Sequence, residues 1–287
     1  MKKYEKLYQY SNKNIFQVAI NLRDNLPNLL SSRNKLLSLN PEWNHFLITS
    51  QQELNHFMEF HFRDSDDVFD GKIYDCFEGV RSQVEASPKS WEFIHDCFES
   101  LLSSTDPITQ DKFNNQYNNF LKAADFFRSI HEVCRLVSQT DVFRLAAVFK
   151  FGGIYFDLSS SLECNFNEKF QDSSCAFIQT PAEVRTSIIY SKDKHNIFIK
   201  KLIEHIHNNC FVEKIKKQYK LAGPGAWTKF FKSISNTEEF QNFDVKIFQE
   251  KDFKEWIMDA EWKRDLHTPD PNNPNQKINH HWHFRNY

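Results

Sequence analysis

Apolar positions along the chain recur at two periods. Some runs are short and continuous or alternating, as in strands; others follow the three-four spacing of a helix, and their alternation predicts an α/β sheet. NIFQVAINL (14–22) is a short apolar run and predicts a first strand. LPNLLSSRNKLLSLNPEW (26–43) carries apolar residues at helical spacing and stops at Asn40-Pro41, a pair that ends helices. WNHFLITS (43–50), rich in aromatic and β-branched residues, predicts a second strand. Residues 51–119 predict mostly helix, in fragments such as QQELNHFMEFHF and SWEFIHDCFESLL. The acidic stretch RDSDDVFDG between them reads as a solvated loop. Its acids lack the alternate spacing, glycine and closing glutamate of a calcium loop.

From residue 120 the periodicity is stronger. FLKAADFFRSIHEVCRLV (120–137) predicts an amphipathic helix, with Leu121, Ala124, Phe127, Cys134 and Val137 near one face. SQT (138–140) supplies N-caps for a second helix, DVFRLAAVFKF, which Gly152 ends as a left-handed C-cap. GIYFDL (153–158) then predicts a central strand, apolar until Asp157. Downstream, CAFIQT, TSIIYS and FDVKIFQ predict strands and HNIFIKKLIEHIHNNC a helix. LAGPGAWTKFFKSI predicts a Gly/Pro loop entering a helix, and HTPDPNNPNQKIN a polar loop before the tail HHWHFRNY. With no repeat and no interdomain linker, the expectation is one domain over 1–287, with 51–119 a mostly helical insertion.

Composition narrows the class. The 287 residues are 40% hydrophobic and 26% charged, as in a globular protein, and the 29 phenylalanines predict a phenylalanine-rich core. A net charge of −2 argues against a general nucleic-acid binder, which needs a basic surface. None of the six cysteines forms a C-x-x-C pair, so reduced thiols are expected. MKKYEKLYQYSNKN has no apolar region of a signal peptide, and no apolar run approaches the ~20 residues that span a bilayer. The expectation is a soluble protein, cytoplasmic or exported as an effector without a cleaved signal.

Asp141 and Arg144 are three apart, so on a helix they share a face. Asp157 falls at the carboxyl end of a strand, where ligands collect in open α/β sheets. The double glycine lets helix and strand fold against each other. A purely structural reading is open too: Asp141 stabilising a helix N-terminus, Arg144 pairing with Asp157. The same spacing in DFFR (125–128) leads into neither Gly-Gly nor a strand and carries no functional weight.

The string TDVFRLAAVFKFGGIYFDLS resembles the D-x-x-R…GG-x-Y-x-D-x-D signature of the DXD-containing sugar transferases. That family includes yeast-type initiating mannosyltransferases and, more distantly, the glucosylating large clostridial toxins. IFQVAI stands where the family has I-H-Q-x-W; NPEW, IIYSKDKHNIF, AGPGAWT and the tail HHWHFRNY resemble further family segments in the same order. The resemblance covers roughly 14–50 and 120–287. It implies a GT-A fold, a Rossmann-like α/β sheet that binds a nucleotide-sugar, with a UDP-sugar donor and a glycan or protein acceptor. It also implies a retaining glycosyltransferase in which Asp141, Arg144 and Asp157 are catalytic. Asp141 and Arg144 would hold sugar hydroxyls, and Gln17, Val18, Ala19, Gly153, Tyr155 and Thr186 would join them and Asp157 around the donor. The implied cofactor is Mn2+, or Mg2+ in its place, with Asp157, Ser159, Asn286 and His281 as the metal-ligand candidates.

The chain departs from the signature at three places. Ser159 stands where the second acid of DXD belongs, and a neutral hydroxyl is a weaker ligand. A weaker metal site, a metal-free enzyme and a donor-binding module without turnover all remain open, as does chance resemblance in an unrelated α/β protein. Ala19 occupies the position of a tryptophan that packs near uracil, for which Phe16 or another aromatic is the candidate replacement. Tyr287 and Asn286 replace the tail's tryptophan and serine. The histidines His280, His281 and His283 read as a tail cap or a phosphate contact rather than as a zinc site.

Overall fold

The computed structural model describes residues 12–20, 26–84, 110–158, 160–162, 164–170, 172–253, 257–259, 269–270 and 273–277. Of residues 26–32, 110–130, 160–162, 250 and 257–277 it describes the backbone alone. In chain order the elements are β1 (Asn14–Val18), α1 (Leu26–Leu39), β2 (Asn44–Ile48), α2 (Gln51–Met58), α3 (Val68–Gln83) and α4 (Gln110–Phe151). There follow β3 (Gly153–Phe156), β4 (Ser160–Leu162), α5 (Phe166–Phe170), β5 (Cys175–Gln179), β6 (Val184–Ser191), α6 (Ile197–Phe211), α7 (Gln218–Leu221) and α8 (Pro224–Ile234). The last are α9 (Glu238–Gln241), β7 (Val245–Gln249), α10 (Glu250–Phe253), β8 (Ile257–Asp259), β9 (Pro269–Asp270) and β10 (Asn273–Lys277).

Six strands form one mixed sheet in the order β2-β1-β3-β6-β5-β7. β1 pairs in parallel with β2 and β3, and β7 with β5; β6 alone is reversed between β3 and β5. Five carboxyl ends and the amino end of β6 therefore share one edge of the sheet. Helices on both faces give the α/β architecture expected, and β3 is central as its apolar run requires. Strand alternation feeds two cores. Tyr155, Phe16 and Phe177 face a core shared with Phe143 of α4, while Ile154 and Phe156 face one with Trp43, Phe166 and Phe170. Phenylalanine fills both, as its abundance suggested.

Three expectations change. First, SQT caps nothing: α4 runs unbroken for 42 residues, from Gln110 to Phe151. The hydroxyls bond backwards within the helix instead, Ser138 Oγ to the Cys134 carbonyl at 2.9 Å and Thr140 Oγ1 to the Leu136 carbonyl at 2.8 Å. Residues 138–149 are all buried, so packing decides over capping propensity. Second, RDSDDVFDG is not simply a solvated loop. Asp67 caps α3 by accepting from Phe69 N–H at 2.7 Å, and Asp70 is buried, accepting from Ser65 Oγ at 2.6 Å and paired with Lys150. Third, the polar loop before the tail holds the small antiparallel ladder β9–β10, and β4 pairs with β8.

The described part of 51–119 is helical: α2, a five-residue π turn (Glu59–Arg63), α3 and the start of α4. Its Leu54, Phe57, Phe62 and Phe77 enter the main core. SWEFIHDCFESLL lies outside the described residues. Among the described residues no helix is long and apolar enough to cross a membrane, and no disulfide joins two described cysteines.

Gly152 ends α4 at φ 66°, as its position predicts, and donates to the Val148 carbonyl at 2.9 Å. Gly153 has φ 99°, and a Cβ there would lie 2.2 Å from the Asn14 carbonyl oxygen. Only glycine lets β3 start this close to β1. Asn14 Nδ2 then donates to the Phe151 carbonyl at 3.1 Å and fixes the corner.

Candidate active site

The glycine corner sets the site by simple lengths. From Phe151 back to Asp141, α4 rises ~15 Å. From Gly153 to Asp157, β3 extends ~13 Å. Helix and strand leave the same corner, so Asp141 and Asp157 arrive at the same height, at the edge where the strand carboxyl ends gather.

Arg144 is the hub and is buried. It pairs with Asp141 Oδ1 at 3.2 Å, donates Nη1–H to the Thr186 carbonyl at 2.6 Å and Nε–H to the Thr140 carbonyl at 3.3 Å. Its guanidinium carbon lies 4.7 Å from the centroid of the Tyr155 ring, a cation–π contact. The Tyr155 hydroxyl donates to Asp157 Oδ1 at 3.0 Å. Asp157 is half-buried, and its N–H bonds the Ser187 carbonyl at 2.8 Å, holding the end of β3 to β6. Asp141 is 2% exposed, and its Oδ2 accepts from Gln218 Nε2 at 2.8 Å.

Electrostatics separate the groups. Burial pushes the Asp141 carboxyl up to about 6; Arg144, Gln218 and Thr186 favour its charged form, and Asp157 disfavours it. Burial also drives the Tyr155 phenol well above its usual range, and it stays a hydrogen-bond donor to Asp157. Asp141 and Arg144 thus lie beneath the surface, while Asp157 is the carboxylate at the exposed rim.

The remaining sequence candidates fall as follows. Thr186 is buried, gives its carbonyl to Arg144 and hydrogen-bonds Asp141 through its side chain. Gln17 is 1% exposed and donates to the Phe156 carbonyl at 3.1 Å. Its Oε1 meets His45 Nε2 at 2.6 Å, and Arg33 Nε donates to His45 Nδ1 at 3.1 Å. Because a guanidinium only donates, Nε2 carries the His45 proton. Val18 is half-buried and Ala19 buried, at the carboxyl end of β1. Phe16 is fully buried and stacked on Phe46 at 5.6 Å, so it does not replace the missing tryptophan as a base platform. Gly153 sits at the far end of β3 from Asp157, where it makes the corner. Ser159, His281 and Asn286 lie outside the described residues. Among the described residues no group of three or more His, Cys, Asp or Glu side chains is placed to hold a metal ion.

Sequence reasoning missed Gln218 and its neighbours. The Gly-Pro loop was visible; its contact with Asp141 was not. A Cβ on Gly223 would lie 2.9 Å from Gln218 Nε2 and 3.3 Å from Asp141 Oδ2, so the loop packs directly on this pair. Tyr219 covers Gly225 and donates its hydroxyl to Glu183 Oε2 at 2.9 Å, tying α7 to the turn before β6. Thr228 Oγ1 accepts from Val184 N–H at 2.9 Å and anchors α8 to the same strand.

The chain resembles the solved PaToxG glycosyltransferase at 16% identity, with 83% of this chain and 79% of that one covered and a TM-score of 0.40. It resembles the UDP-bound glycosyltransferase domain from the YGT toxin at 11% identity, covering 82% and 79%, with a TM-score of 0.41. No curated protein matches it significantly. The family model for the glycosyltransferase sugar-binding region containing the DXD motif matches residues 28–175, just over half the chain and including Asp141, Arg144 and Asp157. The chain belongs to the family of glycosyltransferases whose sugar-binding region contains the DXD motif.

Proposed function

We propose that the chain transfers a sugar from a nucleotide-sugar donor to a glycan or protein acceptor, with retention of configuration at the anomeric carbon. The observation that carries this reading is the stack Asp141–Arg144–Tyr155–Asp157, which places one half-exposed carboxylate on a buried, charge-balanced support. UDP, the nucleotide bound in the YGT toxin domain, is the first donor nucleotide to test.

Arg144 contributes by placement. Its positive charge beneath the Tyr155 ring offsets Asp141 and lies below the rim where a donor's negative charge would sit. Tyr155 fixes the Asp157 carboxylate through Oδ1. Asp157 is a hard oxygen ligand of the kind Mn2+ and Mg2+ take, and Ser159, Asn286 and His281, outside the described residues, are the further candidates that would hold such a metal with it. Such a metal, when bound, neutralises charge on a diphosphate leaving group. Val18 and Ala19 at the end of β1 sit on the nucleotide side, and Gln17 steadies the Phe156–Asp157 peptide from beneath.

The test is a screen of UDP- and GDP-sugars for hydrolysis, with and without Mn2+. Turnover of a UDP-sugar, lost in Asp157→Asn with the fold intact, is the expected result. Binding of a donor with no turnover under any condition would support a silent nucleotide-sugar module instead. Absence of both binding and turnover would overturn the reading.

A further inference from the structure

We infer that Arg33 and His45 are positioning residues for Asp157, holding the Phe156–Asp157 peptide through Gln17 from the face of the sheet opposite the carboxylate. The inference rests on the glycosyltransferase reading above and deepens it.

The strand ends create the need. β1 and β3 are paired only as far as Phe16 and Tyr155. Beyond that point β1 keeps to β2, with Ala19 N–H donating to the Ile48 carbonyl at 2.8 Å. β3 keeps to β6, with Asp157 N–H donating to the Ser187 carbonyl at 2.8 Å. The β1–β3 ladder therefore stops two residues short of Asp157, at the edge where open α/β sheets collect ligands. In a trans peptide the N–H and the preceding C=O point opposite ways. With the Asp157 N–H toward β6, the Phe156 carbonyl points toward β1. There it accepts from Gln17 Nε2 at 3.1 Å, so a side-chain amide holds it where the ladder has ended.

The chain of bonds behind Gln17 has one allowed direction. A guanidinium only donates, so His45 Nδ1 accepts from Arg33 Nε–H at 3.1 Å, and His45 Nε2–H donates to Gln17 Oε1 at 2.6 Å. That leaves Gln17 Nε2 for the Phe156 carbonyl, which only accepts. A Gln17 amide turned over would set oxygen against carbonyl oxygen and N–H against the His45 N–H. Arg33 and His45 thus select the one orientation of the buried Gln17 amide that closes the peptide. The relay lies on the face of Ile15, Phe156 and Leu36, between α1 and the sheet. Tyr155 and Asp157 lie on the other face, with Arg144. The relay therefore touches neither the carboxylate nor a bound donor, and it acts through the backbone.

Two measurements on the full chain test this. Nitrogen NMR at pH 8 should show His45 as a single Nε2–H tautomer; an Nδ1–H form or a mixture would overturn the inference. The second is calorimetric titration with UDP in Mn2+. Asp157→Asn should weaken binding. His45→Leu should weaken it about five- to tenfold, the scale of one lost hydrogen bond. His45→Gln, whose amide N–H can replace Nε2–H, should recover most of that loss. Arg33→Met should weaken binding in the same direction, and it serves if the leucine variant does not fold. In the Asp157→Asn background neither His45→Leu nor Arg33→Met should add a further loss, because the group they position is gone. A merely structural role would give equal losses in both backgrounds. Equal losses, or unchanged UDP affinity in every Arg33 and His45 variant, would overturn the inference and leave the glycosyltransferase reading standing. A wild-type protein that neither binds UDP nor turns over a UDP-sugar would overturn both.

Discussion

Removing the Arg144 guanidinium should alter how stability depends on pH, not only how large it is. Arg144→Ala deletes the 3.2 Å pair with Asp141, the 2.6 Å bond to the Thr186 carbonyl and the cation 4.7 Å from the Tyr155 ring centroid. Breaking a buried pair by taking one partner typically costs about 3–5 kcal/mol. That is a large part of the roughly 5–15 kcal/mol that holds a domain folded. The stranded carboxyl can avoid part of this cost by taking a proton. Burial already holds Asp141 at about 6 against an ordinary 3.8, and Arg144 pulls it down from higher still. Without Arg144 it rises further.

The direction of the pH effect follows. A carboxyl whose folded-state pKa lies above its unfolded value binds protons more readily when folded. Its contribution is complete below the unfolded pKa and is lost as pH rises through the folded one. In the wild type that loss runs from about 3.8 to about 6. In Arg144→Ala it continues above 6, at up to about 1.4 kcal/mol per pH unit, so the gap between the two proteins should widen by as much as about 3 kcal/mol between pH 6 and 8. His61 acts oppositely. Burial first, then the charge of Lys150, pushes it down to about 3 from 6.5, so its contribution is lost as pH falls below 6.5. It does so equally in both proteins and cancels in the difference. Urea denaturation of both proteins at pH 6, 7 and 8 reads this directly. A difference that stays constant with pH would show that Asp141 does not take up the proton, and the electrostatic account of the site would be wrong.

Other outcomes follow from single contacts. Gly153→Ala should cost about 3 kcal/mol or more, because its Cβ would land 2.2 Å from backbone oxygen, whereas Gly152→Ala should cost less, about 1–2 kcal/mol, for its left-handed φ and a 3.0 Å approach to the Asn12 side chain; thermal melts of the two compare them. Ser138→Ala should change stability by less than about 0.5 kcal/mol, since it removes a backward bond inside a helix, where loss of a true N-cap costs about 1 kcal/mol. Donor hydrolysis should fall in EDTA and return with Mn2+, and Ser159→Asp should lower the Mn2+ concentration for half-maximal rate; full activity in EDTA would refute a metal role.

The elements were legible where the pattern was strong and the partner local. The β1, β2, β3, β5, β6 and β7 runs are short, apolar and bounded by turn residues, and the structure has a strand at each. SQT misled because cap residues signal a helix start only when the chain is free to bend there. Here Ser138, Gln139 and Thr140 are buried, and a straight helix packs best. Asp70 misled for a related reason. Its neighbours Asp66 and Asp67 look solvated, but Asp70 lies on the inner face of α3, where Lys150 neutralises it across 80 residues of chain. Neither the half-buried lysine nor its pairing can be read from local composition.

The candidate site was half legible for the same physical reason. Asp141, Arg144, Tyr155 and Asp157 fall within seventeen residues, and a glycine corner converts that short separation into contact, so the family signature that the string resembles falls on residues that meet. Gln218 is 77 residues from Asp141, and nothing in KIKKQYK distinguishes it from a solvated basic segment. Its position depends on three long-range ties: Tyr219 to Glu183, Asn209 to the Leu221 carbonyl and Thr228 to Val184. The glycines of AGPGA are the one trace of this in the sequence. Gly223 leaves the space that the Gln218 amide and Asp141 share, and Gly225 leaves the space for the Tyr219 ring.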